Sequence, residues 1–323
     1  MRVLTDAVRA GVGLQAAAFA LAATGLNVHF GYTGLLNFGH VGFMMVGAYG
    51  AAITVDRGGP LWLGVIVGIL AAVVLGLMLG LPSLRLRADY LAIVTISAAE
   101  ILRVLIRSES FDFLTHSVFG ISGFARSFYD ANPLPVGRYG VGDVVFSQRD
   151  MWILIMAWAL VALATLVVWL AVRSPWGRVL RAIREDEDAA RSLGKHAFSY
   201  KIQSFVFGGA IGGLAGIVFA VDRQAVRPEF FFAAITFYVF AIVILGGPGR
   251  VLSPIAGSMI FWFVVQATDT LLRQAILAGH ITFIETTEVG AVRFAMVGVI
   301  LMALVVFRPQ GVFGSREELF LGA

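Results

Sequence analysis

The 323-residue sequence contains no cysteine, and only 14% of its residues are charged. The first absence excludes disulfides, thiolate zinc sites, iron–sulfur clusters and a cysteine nucleophile. The second excludes a soluble globular chain, which carries roughly 25% charged residues because a water-facing surface needs polar groups. Enzyme motifs are missing as well. No G-x-x-x-x-G-K-[ST] loop is present, since Gly194-Lys195 is followed by His196 and lacks the upstream glycine. There is no H-E-x-x-H and no G-x-S-x-G, and His29, His40, His116, His196 and His280 are scattered. The sequence therefore offers no catalytic residues, no metal ligands and no ATP site of its own.

What it does have is apolar sequence in long runs. Hydrophobic residues make up 59% of the chain and the mean hydropathy is +0.87. A helix crosses the hydrocarbon core with about 20 predominantly apolar residues. Candidate spans are Ala10–Phe30, Phe38–Thr54, Leu61–Leu81, Ala88–Ile106, Met151–Val172, Ile202–Val221, Phe230–Leu245, Leu252–Leu272 and Val289–Phe307. The pattern predicts an all-α polytopic membrane protein. Net charge +4 then reads as basic loops on one side of a lipid bilayer, not as a nucleic-acid surface. Arg2 and Arg9 before an alanine-rich run resemble a secretory signal, but Asp6 interrupts the basic region and many spans follow, so an uncleaved first helix is expected.

Arginine and lysine counts set the expected orientation. The 173–201 loop holds Arg173, Arg178, Arg181, Arg184, Arg191, Lys195 and Lys201, which predicts a cytoplasmic loop. The 108–150 loop holds three arginines against five acids, which predicts an extracytoplasmic one. Alternation puts Arg85, Arg87, Arg250 and the C-terminal tail inside. The N-terminus falls outside if Phe38–Thr54 spans and inside if it does not. Arg2 and Arg9 favour inside, which counts against nine simple spans.

Small residues recur every fourth position at Gly64, Gly68, Ala72, Gly76 and Gly80, and again at Gly208, Gly212 and Gly216. Such ridges let helix backbones approach closely in lipid. The segment from Gly31 to Gly50 carries six glycines, which permits non-helical backbone lining a transport path, or simply tight helix packing. Gly246-Gly247-Pro248-Gly249 reads as a tight turn, or else as a kinked helix near the pathway. Glu100 lies deep in a predicted span with Arg103 at i+3, so it serves either a solute or proton path or an internal ion pair. His40 is either packed or a relay.

The 173–201 loop predicts two short helices. Ser174-Pro175 starts the first, the acids at Glu185–Asp188 open the second, and Gly194 ends it. This loop resembles the cytoplasmic coupling loop of bacterial ABC importer permeases, with an (E/D)-A-A-x-x-x-G core at Asp188-Ala189-Ala190 and Gly194. With Gly31–Tyr49, Arg85–Arg103, the Gly246–Gly257 turn and the tail Arg308–Gly314, nearly the whole chain resembles the LivM-type permease of branched-chain amino acid importers.

That resemblance implies a single transmembrane domain over residues 1–323, a type II importer-like bundle of about eight to ten helices. It implies half of a translocation pathway in the bacterial inner membrane, with a cytoplasmic C-terminus. The expected partners are a LivH-type sister permease, two cytoplasmic ATPases that use ATP and Mg, and an extracytoplasmic solute-binding protein. No cofactor is expected on this chain. Expected ATPase contacts are Arg178, Arg184, Glu185, Asp188, Ala189, Ala190 and Gly194. Expected path residues are Gly34, Asn37, Gly39, His40 and Phe43, with Glu100 from the reading above. Asn37 stands where the family more often has serine, and Ala88 where glycine is frequent. Branched-chain or hydrophobic amino acids are the expected solutes. Urea, short amides or other amino acids are the alternative within the family, and an ion-coupled secondary transporter using Glu100 is the alternative outside it.

Overall fold

The computed structural model describes residues 2–86 and 88–278, with isolated residues 290, 292, 295, 298, 299, 302, 311 and 312 beyond them. The expected span Val289–Phe307, Arg87 and most of the tail from Arg308 lie outside the described residues. In chain order the elements begin with α1 (Arg2–Gly11) and α2 (Leu14–Leu26), which runs into a π-helical turn, Asn27–Tyr32. Next come α3 (His40–Asp56), α4 (Leu61–Ser83) and α5 (Ala88–Arg107). The long loop holds α6 (Asp112–Thr115), β1 (Ile121–Ser122), α7 (Arg126–Asp130) and the hairpin β2 (Arg138–Val141) and β3 (Val144–Ser147). Then follow α8 (Gln148–Arg173), α9 (Pro175–Glu185), α10 (Glu187–Ser192), α11 (Ala197–Arg223), β4 (Ala225–Val226), α12 (Ala234–Gly246) and α13 (Ser253–Leu277).

Among the described residues, six helical stretches are long and apolar enough to cross a membrane: Val3–Tyr32, Leu61–Ser83, Gln148–Arg173, Ala197–Arg223, Pro228–Gly246 and Ser253–Leu277. The segment expected to be short and glycine-broken is resolved as two parts. Gly34–Gly39 is non-helical, and α3 is an unbroken helix of 17 residues. At 1.5 Å per residue α3 covers about 25 Å, slightly less than the hydrocarbon core.

The small-residue ridges form the centre of the bundle. On α4 the buried positions are Gly64, Gly68, Ala72, Gly76, Gly80 and Ser83, while Leu70, Val74, Leu77 and Met78 point outward. A Cβ at Gly68 would strike the Gly47 carbonyl, and one at Gly213 would lie 2.6 Å from the Ala72 Cβ. A Cβ at Gly216 would collide with the Met44 backbone, and one at Gly212 would lie 2.7 Å from the His40 ring. So α2, α3, α4 and α11 meet backbone to backbone. In lipid, dispersion contacts of this kind replace the hydrophobic drive that operates in water.

The bundle has two distinct ends. At one lie α9 and α10, the 247–252 turn and the 34–39 linker. At the other lie the β2–β3 hairpin and the β1–β4 pair, in which Ile121 faces Val226. The C-terminal end of α3 reaches this second end, where Asp56 bonds His116 at 3.0 Å and Arg57 bonds the Phe113 carbonyl at 3.0 Å. The N-terminus is there too: Arg9 lies 5.2 Å from the Phe146 ring centre on β3. Arg9 therefore lies at the end opposite the bracket, the side expected if Phe38–Thr54 spans, although the charge of Arg2 and Arg9 favoured the other. The physical reason is local. Arg9 lines a cavity of about 370 Å³ that also contains Asp6, Asp150 and Asp222, so surrounding carboxylates oppose its charge.

The packing predicts an asymmetry between the two faces of α4 and its neighbours. Gly216→Val should lower the thermal midpoint of the purified protein by several degrees or prevent accumulation, because overpacking costs about 1–3 kcal/mol or more. Leu77→Ala, on the outward face, should leave that midpoint nearly unchanged.

Candidate functional site

The α9–α10 pair is built by caps at every end. Ser174 Oγ accepts the Trp176 N–H at 3.2 Å, and Pro175 occupies the first turn of α9 where its missing N–H costs nothing. Asp186 Oδ1 accepts from the N–H groups of Asp188 and Ala189, each at 2.9 Å, and so opens α10. Gly194 takes φ +76°, and the Gly194 and Lys195 N–H groups return to the carbonyls of Arg191 (2.9 Å) and Ala190 (3.2 Å). This double closure is a Schellman motif, which needs a left-handed residue at Gly194. Glu187 ties the pair down by bonding Arg191 at 2.6 Å and the Lys201 ammonium on α11. The result is a rigid bracket across one end of the bundle.

The bracket divides the residues expected to contact an ATPase. Arg178, Glu185, Asp188, Ala189 and Gly194 are exposed, Asp188 with 93% of its side chain accessible. Ala190 is only 3% exposed and packs with Ile183 and Ala197 inside the bracket. Its direct contact with another protein is thereby excluded in this conformation, because it lies on the inward side of α10. Arg184 is exposed, with its Nη1 donating to the Gly31 carbonyl at 2.5 Å. Leu193 is 80% exposed beside Asp188 and Ala189, and adds an apolar element that the motif alone did not single out.

The glycine-rich segment forms a second polar site, buried between α2, α3 and α11. His29 Nε2 lies 2.9 Å from the Phe205 carbonyl, and its Nδ1 lies 3.1 Å from Asn37 Nδ2. Asn37 Oδ1 accepts the Gly39 N–H at 3.1 Å, turning the chain into α3. His40 Nε2 lies 2.9 Å from the Ala22 carbonyl, and its Nδ1 is buried with no partner among the described residues. Phe43 packs beside both histidines. Thr33 and Ser204 join the same set through hydroxyls 2.6 Å apart.

Asn37, Gly39, His40 and Phe43 are thus brought together, and Asn37, His40 and Phe43 are completely buried. In this conformation they form a packed joint. Gly34 (φ +74°) sits apart, against the Arg184 side chain. Glu100 is elsewhere again, on α5, held by Arg103 at 2.5 Å with nearly half of its side chain exposed. Two members of the polar set were missed in the sequence, His29 and Asn27. Asn27 bonds the Arg250 carbonyl and the Gly249 N–H, each at 2.9 Å. The available signal was a lone amide and a lone imidazole within an otherwise apolar span, which is costly unless paired.

The family model described as branched-chain amino acid transport system / permease component matches residues 9–307. The chain belongs to this family. It is 32% identical over 309 residues to the high-affinity branched-chain amino acid transport system permease protein LivM of Escherichia coli K12, covering 92% of this chain and 68% of that one. Identity to LivH of the same organism is 25% over 310 residues, covering 93% and 92%. Among solved structures, PsaBC from Streptococcus pneumoniae in complex with Fab aligns with TM-score 0.43 and 15% identity, over 93% of this chain and 91% of that one, too loosely to carry an argument. The protein is a multi-pass membrane permease component and not an enzyme.

Asn37→Leu should expose how much the joint depends on its amide. It removes the partners of the Gly39 N–H and of His29, each worth about 1–3 kcal/mol when left buried and unpaired. A thermal midpoint in detergent several degrees below wild type is expected, and an unchanged midpoint would contradict this account of the joint.

Proposed function

We propose that this permease is half of the membrane pathway of an ATP-driven importer for branched-chain or hydrophobic amino acids. Its partner in the bilayer is a LivH-type permease, in a type II importer-like arrangement. Two ATPases, which carry the ATP and Mg, dock from the cytosol, and a solute-binding protein delivers substrate to the opposite end. The membrane is the bacterial inner membrane.

The observation that carries this reading is the exposed face of the α9–α10 bracket. Glu185, Asp188, Ala189 and Leu193 present acidic and apolar groups together on a pair of helices fixed by caps. A loop meant only for anionic lipid headgroups would present basic groups alone, whereas here Glu185 and Asp188 stand exposed among the arginines. The arginines and lysines of the same loop support a cytosolic position. Gly311 packs against Gly247, and the Val312 N–H bonds the Leu245 carbonyl at 2.9 Å, which supports a cytoplasmic tail. In this scheme ATP binding draws the two ATPases together, and the brackets turn that movement into alternating access of the pathway.

Asp188→Lys tests the docking. A like-charge or reversed contact costs several kcal/mol, so uptake into proteoliposomes should fall about tenfold or more, while the chain still inserts. Undiminished uptake would refute the docking role. Glu100→Gln should leave uptake within about twofold, as expected for a partly exposed ion pair worth little to stability. Loss of uptake with ATP hydrolysis intact would instead favour ion coupling through Glu100.

A further inference from the structure

Three segments far apart in sequence converge beside the bracket. Arg184, in the last turn of α9, donates from Nη1 to the Gly31 carbonyl at 2.5 Å. Gly31 belongs to the π-helical turn that ends the first span. The third segment is the turn between α12 and α13, where Gly249 N–H and the Arg250 carbonyl are both held by the Asn27 amide at 2.9 Å. The packing leaves no spare space. A Cβ at Gly31 would strike Asn27 Oδ1 and lie 2.5 Å from the Gly249 nitrogen. A Cβ at Gly249 would lie 3.0 Å from Arg184 Nη1 and 3.0 Å from the Gly31 oxygen.

We infer that Arg184 is a positioning residue for transport: through the Gly31 carbonyl it couples movement of the bracket to the first span and to the α12–α13 turn. This rests on the docking reading above, because the force is supplied at the exposed face one residue away, at Glu185. The chemistry suits the task. A guanidinium is always charged and planar, and its bond to a carbonyl is stronger than a neutral one. The receiving turn suits it too, since a π-turn departs from regular helical bonding and is a frequent site of functional adjustment. Two residues before Gly31, His29 anchors the buried joint that also contains Asn37 and His40. A displacement of α9 therefore reaches the start of α3 without passing through a flexible loop. Arg184 is exposed, yet its guanidinium is engaged by the Gly31 carbonyl, so its role here is a tie between helices of the permease.

The test uses the assembled complex in proteoliposomes, with leucine as the solute and both uptake and ATP hydrolysis measured. Arg184→Gln should retain both ATP-binding subunits on co-elution and retain hydrolysis, while solute moved per ATP falls about tenfold to a hundredfold, the range for losing a bond to a charged group. Gly31→Ala, which disturbs the same point from the other side, should give the same pattern. Arg184→Lys keeps a cationic donor without the planar fork and carries the test should the glutamine variant fail to accumulate. Its solute moved per ATP should lie at least about threefold below wild type. A wild-type ratio in these variants overturns the inference. So does loss of the ATP-binding subunits on Arg184→Gln, which would assign Arg184 to the docking face and leave the docking reading intact. If Asp188→Lys is also without effect, the docking reading itself fails.

Discussion

Everything in this molecule depends on how closely helices can approach inside a bilayer. Lipid tails are as apolar as leucine, so burying leucine against leucine gains little there, and close packing of backbones has to supply the cohesion. The glycines of α4 and α11 meet that requirement by placing backbone atoms of α2, α3, α4 and α11 in direct contact. Larger side chains then remain for the outer faces, where Leu70, Val74 and Met78 of α4 are exposed. The same closeness has a second consequence. It brings carbonyls such as those of Ala22 and Phe205 within reach of imidazoles on neighbouring segments, so polar groups can be satisfied at membrane depth.

That satisfaction is concentrated at one end. His29, Asn37 and His40 fix the start of α3, Asn27 fixes the α12–α13 turn, and Arg184 fixes the bracket to both. The non-helical stretch Gly34–Gly39 and the π-turn before it are the only breaks in the first two long segments at this end among the described residues. Several of the freed N–H groups find partners within the protein: Leu35 bonds the His29 carbonyl, Phe38 the Thr95 hydroxyl and Gly39 the Asn37 side chain. The architecture therefore joins a rigid external lever to the least regular backbone in the bundle.

Much of this was legible in the sequence, and the reasons are specific. The bracket could be read because Ser174-Pro175, the acids before Ala189 and Gly194 each encode a local conformation independent of tertiary context. The ridge could be read because a four-residue spacing of small side chains has one main use in lipid. The membership of the buried joint was only half visible: Asn37 and His40 lie in the glycine-rich segment, whereas His29 and Asn27 sit in an alanine-rich helix with no periodic signal. The bond from Arg184 to Gly31 and the burial of Ala190 were not visible at all. Both residues lie within a motif that looks like a contact surface, and only the packing of α9 on the first span distinguishes the inner side from the outer. The side of the N-terminus stayed open in the sequence: Arg2 and Arg9 favoured the inside because charge counting does not register the carboxylates of Asp150 and Asp222, which are distant in sequence from Arg9.

The central claim is that the exposed face of the bracket meets ATP-binding subunits in the cytosol. The native chain has no cysteine, so a single thiol introduced by Ala189→Cys reports its own surroundings without interference. In intact cells this thiol should resist a membrane-impermeant reagent, and in inverted vesicles a short bifunctional cross-linker should join it to an ATP-binding subunit. Labelling from outside intact cells, or a thiol in inverted vesicles that reacts freely yet cross-links to nothing, would contradict the account.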